Sequence, residues 1–163
     1  MSAGGGRSGR VSVLGPEQIM ALLPHRPPAL LIDGIVELIP GERVTGVKAI
    51  TVEAVWYEGV GGSDYSYPSS LLVESFGQAA AVLLSQAWRP ERGLGDDVPI
   101  LGGVTGVHFD EPVVPGDVVY HHVRIHRVIG DNAIISGHST VGDSTVMRIE
   151  QVILALRPKR VIT

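Results

Sequence analysis

Glu74 is an ionisable residue inside an otherwise apolar stretch, Ser69 to Trp88, and Gln78 follows one helical turn later on the same face. Burying a carboxylate without a partner is strongly unfavourable, so such a residue must be protonated, paired or turned toward a pocket. Desolvation would raise its pKa, and a carboxylic acid with a raised pKa can donate a proton near neutral pH. The structural alternative has Glu74 and Gln78 hydrogen-bonded to backbone at a sheet edge. Ser69 and Ser70, with the free amides of the same helix N-terminus, add a second element. Such a terminus can polarise a carbonyl or hold an enolate oxygen. Serine also caps helices, which accounts for both residues without any ligand.

The element that must position Glu74 is the stretch itself, SSLLVESFGQAAAVLLSQAW, which contains no proline and many good helix formers. Leu71, Leu72, Val73, Phe76, Val82, Leu83 and Leu84 spread apolar side chains around most of its circumference, the mark of a buried helix. Gly77, Ala79, Ala80 and Ala81 keep its middle thin enough for a sheet to wrap closely against it. Upstream, a short helix is expected from Pro16 to Leu23, then strands over Ala29 to Val36 and Arg43 to Val52, joined at Pro40-Gly41. Downstream, strands are expected over Ile100 to Phe109, Asp117 to Val128, Ala133 to Val141 and Ser144 to Leu156. Turns at Pro115-Gly116, Gly130-Asp131 and Gly142-Asp143 separate the last four. The pattern is α+β: one long buried helix beside a mostly antiparallel sheet.

The chain has 163 residues, 44% of them hydrophobic and 18% charged, which suits one globular domain with a real core. Residues 13–163 are expected to form that domain, and residues 1–12 a disordered tail with no apolar segment to act as a signal or membrane anchor. The net charge of -4, with 13 scattered lysines and arginines, argues against a nucleic-acid partner. The absence of cysteine excludes disulfides, thiolate nucleophiles and cysteine zinc sites, and fits a reducing cytoplasm. His121, His122 and His126 lie on one strand-like run and His138 on the next. Arg124 stands between His122 and His126 on their shared face, so a solvent-facing strand is expected there rather than a metal site. Neither a metal nor a cofactor is expected.

These residues, in this order, resemble the 3-hydroxyacyl-(acyl carrier protein) dehydratases of fatty-acid synthesis, which have the hotdog fold. The opening LLPHRPPALLIDGIVELIPGERVTGVKAITV is similar to that family's opening, with Pro24-His25-Arg26, Asp33 and Pro40-Gly41 at the matching places. YPSSLLVESFGQAAAVLL resembles the family's helix segment and places its functional glutamate on Glu74 and its glutamine on Gln78. HFDEPVVPGDVV resembles the strand and turn before the family's final hairpin. The resemblance further implies a substrate-binding neighbourhood of Gly59, Val60, Pro68, Ser69, Ser70 and Gln78, with Glu74 catalytic. The resemblance makes the Pro24-His25-Arg26 segment a structural one beside the site, and no histidine is given a catalytic role.

The departure lies in the loop from Gly59 to Pro68, where the family carries Gly-His-Phe-Pro-Gly and this chain reads GVGGSDYSYP. The spacing is unchanged, so the register puts Val60 on the family's histidine. Dehydration needs one base for the C2 proton and one acid for the departing C3 hydroxyl. The resemblance gives these roles to the histidine and the glutamate, drawn from different subunits of a dimer. A homodimer of this chain would have two glutamates and no histidine. The expected assembly is therefore a heterodimer with a histidine-bearing hotdog subunit. It would act on chains carried by acyl carrier protein in fatty-acid or polyketide synthesis. The alternatives are a non-catalytic acyl-binding or scaffold subunit, and a homodimeric thioesterase using Glu74 or Asp64, although an aspartate in a Gly-Gly-Ser-Asp run is usually a turn residue. Tyr65 and Tyr67 are expected at an interface, and Arg89, Arg92 and Arg160 are candidates for docking an acidic carrier protein.

Overall fold

The computed structural model describes residues 13–57, 64–89 and 94–161, so the expected N-terminal tail lies outside the described residues. Its centre is α2 (Ser69–Trp88), which occupies the span expected of it. Leu72, Phe76, Val82, Leu83 and Leu84 are buried, and each contributes about 1.5–3 kcal/mol by leaving water.

Six strands form one antiparallel sheet: β1 (Gly34–Ile39), β2 (Arg43–Ala49), β3 (Asp97–Phe109), β4 (Val118–Ile129), β5 (Asn132–Val141) and β6 (Ser144–Pro158), in the spatial order β1-β2-β4-β5-β6-β3. A short helix, α1 (Pro16–Leu22), precedes β1. The chain leaves the sheet after β2, passes through α2 and re-enters at the opposite edge as β3, so the helix lies in the curve of the sheet, against β1 to β5. This is the hotdog arrangement that the resemblance implied. The β4–β5 and β5–β6 hairpins close through two-residue turns whose first residues, Gly130 and Gly142, both have φ of 55°. A glycine in that conformation at the first turn position matches the twist of the flanking strands.

The thin middle of α2 has the expected consequence on one side only. A Cβ built on Gly46 of β2 would stand 2.8 Å from the Cβ of Ala79, so sheet and helix already touch there. Gly77 has no such neighbour within 4 Å and faces open space. We expect Gly46→Val to lower stability by about 1–3 kcal/mol through overpacking, read as an earlier urea midpoint at unchanged slope.

Several strand boundaries differ from expectation, among them β3, which starts at Asp97 rather than Ile100, and two of the differences have local causes. The run Ala29 to Val36 becomes strand only at Gly34, because the Gln78 side chain takes the backbone of Ala29 and Leu31 in place of a ladder. β2 ends at Ala49; Ile50 then donates to the Asp117 carbonyl, and Val55–Tyr57 forms a 3-10 turn. Among the described residues no helix is long and apolar enough to cross a membrane.

Candidate active site

The i,i+4 spacing on α2 brings Glu74 and Gln78 together, and Gln78 Nε2 donates to Glu74 Oε1 at 3.1 Å. The same nitrogen donates to the Ala29 carbonyl at 2.9 Å, while Gln78 Oε1 accepts from the Leu31 amide at 2.8 Å. Gln78 is thus buried and fully engaged, pinning the 29–31 segment to the helix. From the segment just before it, His25 brings Nε2 to 3.5 Å from the same Glu74 oxygen. Arg26 holds that turn by donating from Nη1 to the carbonyls of Leu23 and His25.

Glu74 itself departs from expectation. Its side chain is 53% exposed. Its pKa is lowered, not raised: the His25 hydrogen bond acts most strongly, burial opposes it, and Gln78 and the charge of His25 add to the lowering. Hydrogen bonds to the ionised form outweigh partial desolvation.

Beside the carboxylate opens an apolar cavity of about 100 Å³, walled by Phe76 and Ala81 of α2, Leu101 and Val104 of β3, and Leu154 of β6. A pocket that encloses an organic ligand usually measures about 300–1,000 Å³, so one chain supplies only part of a binding tunnel. β3 pairs with β6 on one side and is the last strand of the sheet on the other. Leu101 and Phe109 on it are exposed.

The remaining predicted site residues are dispersed. Gly59 and Val60 lie outside the described residues, as does Arg92. Pro68 is the N-cap of α2 and no side chain caps the helix, so Ser69 and Ser70 are exposed first-turn residues with uncommitted side chains. Asp64 accepts a hydrogen bond from the Ser66 amide at 2.9 Å, as the turn residue its sequence context suggested, and the Ser66 side chain first, then this amide, lower its pKa. Tyr65 is exposed and packs on Tyr57 at 5.9 Å. Tyr67 is buried within the chain, and burial, with Tyr57 and Asp33 nearby, pushes its hydroxyl up to about 12. Arg89 pairs with Asp97 at 3.4 Å, while Arg160 follows β6 in a short 3-10 turn.

Two histidines do more than the sequence disclosed. His25 reaches Glu74 from the Pro24-His25-Arg26 segment, which the resemblance set beside the site without giving its histidine a catalytic role. His121 is wholly buried, unlike its exposed neighbour His126, and bonds Ser75 Oγ and Ser139 Oγ, each at 2.7 Å. The signal for His121 was present: in the alternation Val119, His121, Val123 it takes the inward face.

Comparison with known proteins adds a family signal. The model of the FabA-like domain matches residues 23–150. The 3-hydroxyacyl-(acyl-carrier-protein) dehydratase FabZ of Paracidovorax citrulli is 37% identical over 82% of this chain and 90% of its own length. The protein of the same name from Roseiflexus castenholzii is 35% identical over 91% of this chain and 100% of its own. Among solved structures, the dehydratase heterocomplex ApeI:P from Xenorhabdus doucetiae superposes with a TM-score of 0.73 at 15% identity, covering 87% of this chain and 92% of that one. At that identity the superposition speaks for the fold.

Proposed function

The chain belongs to the family of FabA-like domains, and from that membership we propose that it is the glutamate-contributing subunit of a 3-hydroxyacyl-thioester dehydratase. In this reading a partner hotdog subunit brings the histidine that Val60 replaces. The substrate is an acyl chain carried on acyl carrier protein, in fatty-acid or polyketide synthesis, as the names of the FabZ relatives suggest. The observation that carries the proposal is Glu74, held by Gln78 and His25 at the mouth of an apolar cavity that one chain leaves incomplete. The free edge of β3, with Leu101 in both the cavity wall and the exposed surface, is where a second subunit would complete it.

The chemistry is an elimination. The partner's histidine removes a proton from C2, the C2–C3 double bond forms, and the C3 hydroxyl leaves as water with a proton from Glu74. The proton taken from C2 replaces the one given up, so the site returns to its starting charge. Covering Glu74 with a second subunit and an acyl chain deepens its desolvation, which favours its proton-bearing form. The dehydratase heterocomplex ApeI:P, a chain of which shares this fold, offers a precedent for a dehydratase that is a heterocomplex.

The test is to purify this chain alone and together with a hotdog protein carrying a Gly-His-Phe-Pro loop, then follow enoyl-thioester formation. We expect the single chain to be slower by about a hundred- to ten-thousandfold, the usual loss when an acid-base partner is missing. Full activity of the single chain would sink the proposal.

A further inference from the structure

Glu74 has two oxygens in unlike surroundings. Oε1 takes the Gln78 Nε2–H at 3.1 Å and faces His25 Nε2 at 3.5 Å, whereas Oε2 has no hydrogen bond among the described residues. His25 Nδ1 is enclosed and has no hydrogen-bond partner among the described residues. An enclosed acceptor without a donor is easier to tolerate than an enclosed N–H without an acceptor, so the proton of the neutral ring belongs on Nε2, facing the carboxylate.

We propose that His25 is a positioning residue for Glu74: its Nε2–H and that of Gln78 clamp Oε1 from two sides, fix the carboxyl plane and present Oε2 alone to the substrate's hydroxyl. This deepens the dehydratase reading and rests on it for the identity of the substrate. It also gives the Pro24-His25-Arg26 triplet a role. Arg26 ties the carbonyls on either side of the turn, and that turn carries the imidazole to the helix. The clamp sets proton affinity as well as direction, since the hydrogen bond from His25 is the leading cause of Glu74's lowered pKa. Among the described residues the cavity wall contributes no titratable group besides His25 and Glu74.

His25→Leu removes the donor and leaves the burial, so the balance on Glu74 turns toward desolvation. The Glu74 carboxyl resonance, followed by NMR in the single chain, is expected to titrate about one pH unit higher in His25→Leu. It should return toward its original midpoint in His25→Gln, whose amide restores an N–H. In the active mixture, the alkaline limb of the kcat profile should move the same way, because it reports loss of the proton that the acid must hold. A purely structural role would lower activity evenly across pH. An unchanged Glu74 midpoint in a folded His25→Leu chain, or a His25→Gln chain that titrates like His25→Leu, would overturn the assignment. The titration needs neither partner nor turnover, so a shifted midpoint beside an inactive mixture supports the role of His25 and counts against the subunit reading alone.

Discussion

Glu74→Gln, introduced into this chain and assayed with the histidine-bearing partner, is expected to lower kcat by about a hundred- to ten-thousandfold. The substitution preserves the shape of the side chain. It also preserves the clamp, because an amide oxygen in the place of Oε1 still accepts from Gln78 Nε2 and His25 Nε2. What it removes is the proton for the departing hydroxyl. The loss should therefore fall on kcat, with KM changing much less, since the interaction is one the transition state makes more strongly than the bound substrate. Three readings separate cleanly on this variant. A scaffold or acyl-binding subunit predicts full activity of the complex. A thioesterase predicts release of free thiol without any alkene from the unsubstituted chain alone as well as from the mixture, and loss of that release in this variant where Glu74 activates the water. Only the glutamate-contributing subunit predicts an assembled complex that retains its acyl chain and no longer dehydrates it.

The proline-free stretch of α2 and the two-residue turns at Gly130 and Gly142 were legible because each rests on local chemistry: helix propensity in one case, positive φ in the other. The start of β1 was not legible. The apolar run from Ala29 looks like strand, and Leu31 and Ile32 are indeed buried, but their backbone is claimed by Gln78, a residue distant in sequence. Hydrophobic pattern reports that a segment is buried; it does not report where the amides go.

The same limit governed the site. Spacing placed Glu74 beside Gln78, and that held, since i and i+4 must meet on a helix. Of the three outcomes open to Glu74, pairing and a pocket are realised, and the raised pKa that desolvation alone would give is outweighed. The residue that tips the balance, His25, comes from a turn that local sequence could not connect to α2. Burial raises a carboxyl only when nothing donates to it, and here two side chains do.

Acidification supplies the second large effect, and it arises on the opposite face of α2. His121 is neutral in the folded chain. Ser75 Oγ donates to the Leu72 carbonyl at 3.1 Å, so it accepts from His121 Nε2–H, and Ser139 Oγ donates to Nδ1. Burial, with the charge of nearby His122 adding to it, pushes the His121 pKa from 6.5 down to about 3. The unfolded chain binds the proton near pH 6.5 while the folded chain refuses it until about pH 3, so stability is fully present above the higher value and falls between the two. The unfolding equilibrium should shift by about tenfold per pH unit across that window, on the order of 5 kcal/mol in all. Glu74, whose folded pKa is also depressed, contributes in the same direction at the acid end. Urea unfolding at pH 7, 5 and 4 measures the slope, and His121→Gln isolates its source. That side chain can donate to Ser75 and accept from Ser139 but cannot titrate. The variant should start less stable at pH 7 and lose less on acidification, whereas an unchanged slope would refute the assignment. Ser75 is the residue after Glu74, so the helix that offers a carboxylate to the cavity is fastened from behind by an imidazole that must stay uncharged. Acid that protonates this imidazole is expected to weaken the tie between Ser75 of α2 and β4, next in the chain to the carboxylate that the site uses.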